Sequence, residues 1–340
     1  MHTRGLRAMA IGVVLLLTAA ACGGGGGDET GDAASAGASA GAGAATEAFA
    51  QDFQQATVMV VSNNTHLAAM AAAEQGFWLQ HGLDVKLEVL DSGREIMTAV
   101  GAGEAQFGGV NAGTTVPPAR AGGLEVSVVV PYMNNALAVA DVGRVALLAR
   151  NDMTVDDVEF VNTEVPDMAV ALEQGLVDAV VPWEPYVSQI LREQGDNAVV
   201  VERGGDYVSD VIGLATLDSL VTEQPDLVEK LILGILEGAQ FVRQNPEQAA
   251  EILTSYVGGV EVADVVEGNQ QTSYDPRVSV CTEKGVMDAA QALIDSGEIE
   301  SEPFELKELL NVEMLTQLTE DNPQFFDDLE PLPEDLAGCQ

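Results

Sequence analysis

The sequence has little positive charge. Its 340 residues include 14 lysines and arginines against 54 aspartates and glutamates. Only four of these residues are lysines (Lys86, Lys230, Lys284 and Lys307). The formal net charge of -40 argues against a nucleic-acid-binding protein, because contact with a phosphate backbone requires a basic surface. An acidic, lysine-poor surface is compatible with a high-salt habitat, because salt screens the repulsion between like charges. Neutral drift of the sequence toward acidic residues is the alternative explanation of this composition.

The sequence also lacks an apolar run of the roughly 20 residues that a membrane span needs. The longest candidate, residues 10–17, follows Arg4 and Arg7 and precedes small residues and Cys22. This pattern predicts an export signal over residues 1–21 and resembles a bacterial lipobox, in which the cysteine is lipidated. We expect an exported protein anchored by lipid to the outer face of the cell membrane. Ordinary secretory cleavage, with Cys22 incidental, is the alternative.

Cysteine is scarce. Besides Cys22 the chain has Cys281 and Cys339, and two cysteines in an exported protein often pair. We therefore predict a disulfide between Cys281 and Cys339. No cysteine cluster is present, and we predict neither a metal site nor a cofactor.

Changes in composition and in secondary-structure pattern along the chain predict the domain organisation. Residues 22–54 are rich in glycine, alanine and serine and read as a flexible tether. Residues 55–135 are predicted to form the first part of lobe 1, residues 136–208 a shortened lobe 2, and residues 209–340 the return to lobe 1 with a helical C-terminal region.

Strands and helices alternate along the first lobe, which predicts an α/β fold with a parallel sheet. The predicted strands are residues 57–61, 84–90, 107–110 and 126–130. In the second lobe we expect strands at residues 159–161, 179–181 and 199–202. Residues 209–214 are expected to cross back to the first lobe, and helices are predicted at residues 226–243, 246–256, 284–296 and 307–320.

One unit of helix, glycine, strand and loop occurs twice. Residues 96–102 with Gly103, a strand and the loop 111–115 are echoed by residues 167–174 with Gly175, a strand and the loop 182–185. This repetition predicts two similar lobes whose loops face one cleft.

Ligands of open parallel sheets bind beyond the carboxyl ends of the strands, and helix starts there offer unpaired N–H groups. This rule selects the loops after the first three strands and the loop of the second lobe. The predicted ligand-binding residues are Ser62, Asn64, His66, Ser92, Gly93, Arg94, Asn111, Ala112, Gly113, Thr114, Trp183, Glu184 and Tyr186.

Several of these residues have structural alternatives in the first lobe. Ser92 has the capping-box spacing to Glu95, so it could serve as a helix cap. Arg94 could form a surface ion pair, and His66 could be buried or solvated without touching ligand. Asn111 could equally cap a helix.

The alternatives in the remaining loops are similar. Gly113 could simply allow a tight turn. Trp183 is the strongest candidate for a ligand-contacting wall. Glu184 could accept a hydrogen bond from a ligand amine or be an acid stabilised at a helix start. Tyr186 could cover the hinge.

Three segments carry a family resemblance: residues 74–93 (EQGFWLQHGLDVKLEVLDSG), 98–123 (TAVGAGEAQFGGVNAGTTVPPARAGG) and 171–191 (ALEQGLVDAVVPWEPYVSQIL). They resemble the solute-binding lipoproteins of nitrate/sulfonate/taurine-type ABC importers, a superfamily shared with proteins that bind pyrimidine precursors of thiamine. The resemblance implies a two-lobe periplasmic-binding-protein fold of type II, with helices on both faces of parallel-sheet lobes. Relatives have more residues after the exit strand, so we expect a shortened second lobe.

The resemblance implies that the protein captures a small organic anion by lobe closure and passes it to an ABC permease with its ATPase subunits. We expect a monomer and no enzymatic activity. A pyrimidine-binding protein of the same fold, or a degenerate or sensor lipoprotein with weakened binding, is the alternative. An enzyme related to thiamine-pyrimidine synthesis would need a cofactor lysine, and the first lobe offers only Lys86, inside a strand.

Overall fold

One five-stranded sheet organises the part of the chain that the structure describes. The computed structural model describes residues 53–90, 92–136, 147–148, 150–201 and 210–338. The strands are β1 (Gln54–Val61), β2 (Leu83–Leu90), β3 (Phe107–Asn111), β4 (Val126–Ala136) and β5 (Asp210–Leu217).

The strand order is β2-β1-β3-β5-β4. β1 pairs with β2 and β3 in parallel, as the alternation of strands and helices predicts. β5 pairs with β3 and β4 in antiparallel fashion. The chain therefore leaves the sheet after β4 and returns, at the predicted place, through a strand inserted between β3 and β4.

Helices cover both faces of the sheet. In chain order they are α1 (Leu67–Glu74), α2 (Phe77–Gln80), α3 (Gly93–Ala102), α4 (Val116–Ala121), α5 (Met168–Glu173), α6 (Tyr186–Gln194), α7 (Asp218–Glu223), α8 (Pro225–Gln244), α9 (Pro246–Tyr256), α10 (Val262–Asn269), α11 (Val280–Asp295), α12 (Leu306–Leu309) and α13 (Glu313–Asp321). The single predicted helix over residues 307–320 is thus two helices.

Alternate side chains of β1 belong to two hydrophobic cores. Ala56, Val58 and Val60 pack in the core that contains α1 and the long helix α8. Met59 points to the other face and packs in the core that contains α3 and part of α11. The twofold period of the strand thus places apolar residues on both faces, as expected for a sheet covered by helices.

Two glycines let α8 approach the helices that follow β1. A Cβ at Gly234 would lie 2.1 Å from the Trp78 ring, and a Cβ at Gly238 would lie 2.2 Å from the Ala68 carbonyl oxygen. The Trp78 indole donates a hydrogen bond to the Leu231 carbonyl at 2.9 Å. Close packing on this face of the sheet therefore depends on the two glycines of α8.

The strands predicted for the second lobe are wrong where the structure describes them. Residues 159–161, 179–181 and 199–201 form no strand. Phe160 and Val161 are more than half exposed, and Val201 is 85% exposed. A strand needs a neighbouring strand edge, and these apolar runs are not paired with one among the described residues. Residues 150–201 contain no strand, so the parallel sheet expected in the second lobe is not found among these described residues.

Several sequence predictions lie outside the described residues. These are the signal at residues 1–21 with Cys22, the tether as far as residue 52, the ends of the second lobe at residues 137–146 and 202–208, and Cys339. Cys281 is disulfide-bonded. Its partner is not among the described residues, so pairing with Cys339 stays a prediction.

The described residues contain neither a membrane-spanning helix nor a cluster of metal-ligating side chains. No helix there combines the length and the apolar composition needed to cross a bilayer. Within the same ranges, no group of three or more histidine, cysteine, aspartate or glutamate side chains is placed to hold a metal ion.

Candidate ligand-binding site

A cavity of about 320 Å³ lies at the carboxyl ends of β1 and β3. We call it the ligand cavity. Its walls come from the loops after the first three strands, from β4 and β5, from the loop before α6, and from the segment after α10. The lining residues are Val61, Asn63, Asn64, Thr65, His66, Ser92, Gly93, Gly109, Val110, Asn111, Thr114, Thr115, Met133, Trp183, Glu184, Ile212 and Thr272.

The loop after β1 forms a rigid corner of the ligand cavity. The Asn63 side chain accepts a hydrogen bond from the Thr65 backbone N–H at 3.1 Å and another from the Thr65 hydroxyl. This cap begins the turn Asn64–His66, which leads into α1. Asn64 is 1% exposed, and its Nδ2 has no hydrogen-bond partner among the described residues.

The backbone of Asn64 is held from the C-terminal part of the chain. The Tyr274 hydroxyl lies 2.7 Å from the Asn64 carbonyl oxygen and 2.9 Å from the Asn269 side-chain amide. A tyrosine hydroxyl has one hydrogen, and Tyr274 donates it to the Asn64 carbonyl. The Asn269 side-chain amide therefore fits best when its nitrogen points to Tyr274 and donates to the hydroxyl oxygen. Asn269 Nδ2 then gains a partner, whereas Asn64 Nδ2 remains without one.

His66 is an uncharged part of the cavity floor. Burial lowers the pKa of its imidazole to about 3, and its Nδ1 lies 2.6 Å from the Tyr132 hydroxyl. Burial, and next the neighbouring Tyr274, raise the pKa of Tyr132 well above its usual value. A Cβ at Gly109 would come within 2.6 Å of His66 Nδ1, so only glycine fits above the ring. The pair supplies polarity without charge.

The loops after β2 and β3 bring helix starts to the ligand cavity. The Ser92 hydroxyl accepts from the Glu95 N–H at 3.3 Å and so caps α3, whose first residue is Gly93. Asn111 ends β3, and Thr115 precedes α4. The cap predicted for Ser92 and its position in the cavity are thus compatible.

Trp183 and Glu184, in the loop before α6, form another part of the cavity wall. Trp183 is 36% exposed, and its carbonyl accepts from the Tyr186 N–H at 3.0 Å. Glu184 is buried, precedes a cis proline, and accepts through Oε2 from the Ser188 N–H at 3.1 Å and hydroxyl at 2.8 Å. Its carboxylate therefore has the helix-start role that was one of its two predicted alternatives.

The cavity brings most of the predicted residues together. Those that line it are Asn64, His66, Ser92, Gly93, Asn111, Thr114, Trp183 and Glu184. The five others do not: Ser62, Arg94, Ala112, Gly113 and Tyr186.

Packing explains three of these exceptions. Ala112 is fully buried in the core. A Cβ at Gly113 would lie 2.7 Å from Ala289 of α11, so Gly113 serves close packing. Tyr186 is 8% exposed and belongs to the core with α8. Arg94 instead lines a second cavity, described below.

Sequence reasoning missed the contributions of β4, β5 and the segment after α10. Met133, Ile212 and Thr272 reach the cavity from these elements. The return strand was predicted, but its insertion beside β3 was not, and that insertion is what places Ile212 there. No pattern in the sequence marks Thr272.

Among the described residues that line the cavity, none is a lysine or an arginine. Glu184 and His66 are the titratable side chains there, and His66 is uncharged at neutral pH because of its lowered pKa. Hydroxyls, amides and backbone N–H groups are left to bind a ligand.

Comparisons with known proteins agree with this architecture. A protein of Brucella abortus (strain 2308), provisionally named as a binding protein, is 26% identical over 211 residues, which are 55% of this chain and 66% of that protein. The chain thus spans just under two thirds of the length of this relative.

Solved structures share the fold at low sequence identity. The periplasmic aliphatic sulphonate binding protein SsuA of Escherichia coli has a TM-score of 0.60 and 14% identity, over 75% of this chain and 91% of that chain. The nitrate-binding protein NrtA of Synechocystis PCC 6803 has a TM-score of 0.60 and 11% identity, over 79% and 89%. The desulfurization enzyme DSZB has a TM-score of 0.55 and 18% identity, over 78% and 99%.

These likenesses confirm the predicted type II periplasmic-binding-protein fold. They do not assign a ligand, because an enzyme and two binding proteins share that fold. The family model described as NMT1/THI5 like matches residues 63–142 and 144–249, more than half of the chain. The chain therefore belongs to the NMT1/THI5-like family.

Proposed function

We propose that the protein is the extracytoplasmic solute-binding component of an ABC importer. It captures a small organic anion, such as a sulfonate, taurine or a nitrate-like solute, and delivers it to a permease driven by ATPase subunits. A lipid on Cys22 anchors it as a monomer. The proposal is supported by the fold shared with sulphonate- and nitrate-binding proteins, and by a cavity at the sheet edge where such folds bind ligands.

The observation that carries this proposal is the buried nitrogen of Asn64. Asn64 lines the ligand cavity, and its Nδ2 has no hydrogen-bond partner in the described part of the chain. A buried donor without a partner costs about 1–3 kcal/mol, and an acceptor oxygen on a ligand removes that cost. The cavity is therefore suited to a solute that presents oxygen atoms, as sulfonates, carboxylates and nitrate do.

Neutral donors supply the rest of the binding. The hydroxyl-bearing side chains of Ser92 and Thr115 line the cavity, and α3 begins at its edge with the positive end of its dipole. Since no lysine or arginine lines it among the described residues, the solute carries a low charge. A singly charged anion fits this environment better than a doubly charged one.

A second candidate is a flat heterocycle such as a pyrimidine. The observation in its favour is the pairing of Trp183, an aromatic wall, with the carboxylate of Glu184. A ring stacks on the indole while a ring amine donates to the carboxylate.

We propose that no reaction takes place in the cavity. Its titratable side chains are engaged by neighbours, His66 by Tyr132 and Glu184 by Ser188. An enzyme that used either group would need to break these contacts. Incubation of the bound solute with the protein should leave the mass of the solute unchanged.

The test is identification of the solute that co-purifies, by mass spectrometry, followed by calorimetry with sulfonates, taurine, nitrate and pyrimidines. Binding of a sulfonate or another small anion is the expected result. Binding of pyrimidines alone would replace the first candidate with the second. If none of these solutes binds, both candidate functions are overturned, and a degenerate or sensor lipoprotein is favoured.

A further inference from the structure

A second cavity of about 410 Å³ lies between α3 and α4, and we call it the side groove. It shares Gly93, Thr114 and Thr115 with the ligand cavity, so the two spaces adjoin along these residues. The complete lining is Gly93, Arg94, Met97, Thr98, Gly101, Thr114, Thr115, Pro118, Ala119 and Leu124.

Among the described arginines, Arg94 differs from the others in its contacts. Other described arginines form ion pairs with carboxylates, namely Arg120, Arg192, Arg243 and Arg277. Arg150 also has an interaction. The side chain of Arg94 makes no hydrogen bond or ion pair with any described residue, although the chain has 54 acids against 14 lysines and arginines. Its charge is therefore available to an anion.

The walls of the side groove suit an apolar chain. Met97, Pro118, Ala119 and Leu124 line it. A Cβ at Gly101 would lie 3.2 Å from Leu124, so the Leu124 side chain packs directly on Gly101 in this wall. An alkyl or aryl body can lie over these residues and bury apolar surface.

We propose that the side groove is a second subsite for an extended ligand, whose apolar body lies along α3 and α4 and whose terminal carboxylate pairs with Arg94. This inference rests on the proposed function, in which the other end of the ligand occupies the ligand cavity. The planar guanidinium suits a carboxylate because it can donate two parallel hydrogen bonds. The two sites differ in charge, because the ligand cavity has neutral donors and the side groove has the positive charge of Arg94.

The test uses linear alkanesulfonates of increasing length, each matched with the same sulfonate that carries a carboxylate at its far end. At one chain length the carboxylate should improve affinity about three- to tenfold, since Arg94 is exposed and its ion pair is partly screened. Arg94→Gln should bring the ratio of the two affinities to about one. Arg94→Lys should keep part of the gain in affinity, because the positive charge remains while the two parallel N–H donors of the guanidinium are lost.

Lys307→Gln is the matched control, because it removes one positive charge from an exposed site on α12. It should leave the ratio as in the unmodified protein. Thr98→Phe should fill the side groove and weaken the long probes relative to the shortest one. Calorimetry gives the affinities, and thermal melting shows that each variant is folded.

The outcomes separate this inference from the proposed function. If the short sulfonates bind but no length gains from the carboxylate, the subsite is wrong and the proposed function stands. If Arg94→Gln weakens both members of each pair equally, Arg94 only attracts anions and the subsite is wrong. If no probe binds at all, the proposed sulfonate function fails and the subsite fails with it.

Discussion

Residues 93–115 and residues 168–186 carry the same sequence pattern but fold only partly alike. Each begins with a helix that ends at a glycine in the left-handed region, Gly103 with φ 75° and Gly175 with φ 65°. The apolar run of the first segment becomes β3, whose first four residues are buried and which lies between β1 and β5. The run of the second segment, residues 179–181, forms no strand.

The difference lies in what surrounds each run. β3 finds strand edges on both sides, so its backbone hydrogen bonds are made within the sheet. Residues 179–181 are exposed or half-buried and have no strand beside them in the described part of the chain. A local pattern thus determines the helix and its glycine, whereas a strand depends on distant neighbours.

The largest expected effect concerns the packing of the sheet region. Gly238→Ala places a Cβ 2.2 Å from the backbone oxygen of Ala68, so α8 has to move away from α1. We expect the free energy of unfolding to fall by about 3 kcal/mol or more, as measured by urea denaturation.

Two controls sharpen this comparison of regions. Gly258→Ala adds a methyl group to open space, and Leu176→Ala shortens a side chain that is 68% exposed. Each should change the free energy of unfolding by less than about 0.5 kcal/mol. A loss at Leu176 as large as that at Gly238 would show that the second region is as tightly packed as the sheet.

The next effect concerns the ligand wall of the second region. Trp183→Ala removes the aromatic surface that faces the loops of the sheet, and we expect affinity for the solute to fall about 100-fold, or about 2.7 kcal/mol. Leu176→Ala, in the same region but away from the cavity, should bind as the unmodified protein does. Equal affinities of the Trp183 variant and the unmodified protein would contradict the assigned wall.

An effect that is smaller for each pH unit follows from the buried histidine of the sheet region. The folded pKa of His66 is about 3, against an ordinary value of 6.5, so between these values the unfolded chain binds a proton that the folded chain does not. The stabilisation is complete above pH 6.5 and is lost as pH falls toward 3, by up to about 1.4 kcal/mol per pH unit. The free energy of unfolding, measured by urea denaturation at several pH values across this range, should change less steeply with pH for His66→Gln. Identical slopes would contradict the burial of a neutral imidazole.

The smallest effect has opposite signs for stability and binding. Asn64→Leu removes a buried donor that has no partner among the residues that the structure describes, so the ligand-free protein should be unchanged or more stable by about 1 kcal/mol. The same variant should bind the solute more weakly. A clear loss of ligand-free stability would mean that the Asn64 amide supports the fold and is not held ready for a ligand.

Much of the sheet region can be predicted from the sequence because its signals are local. Ser92 and Glu95 mark the start of α3, and Pro246 and Tyr256 bound α9 as predicted. β1 begins at Gln54, three residues before the predicted strand, since Gln54 and Gln55 pair with β2 although they are polar.

The site can be predicted less completely. The rule on carboxyl ends of strands finds Asn64, Ser92 and Asn111, because these loops follow local strand signals. It also selects Ala112 and Gly113, since sequence adjacency does not show which side chain turns into the core. Thr272 comes from a segment whose approach to the cavity depends on the whole tertiary fold.

The insertion of β5 has a consequence for the order in which the chain can fold. As the polypeptide is synthesised, β3 and β4 are complete by residue 136, yet the strand that lies between them begins only at Asp210. Until then both strands present unpaired edges, which are templates for aggregation. The interval in which a nascent chain is at risk therefore ends only when residue 217 has emerged and β5 has closed the sheet.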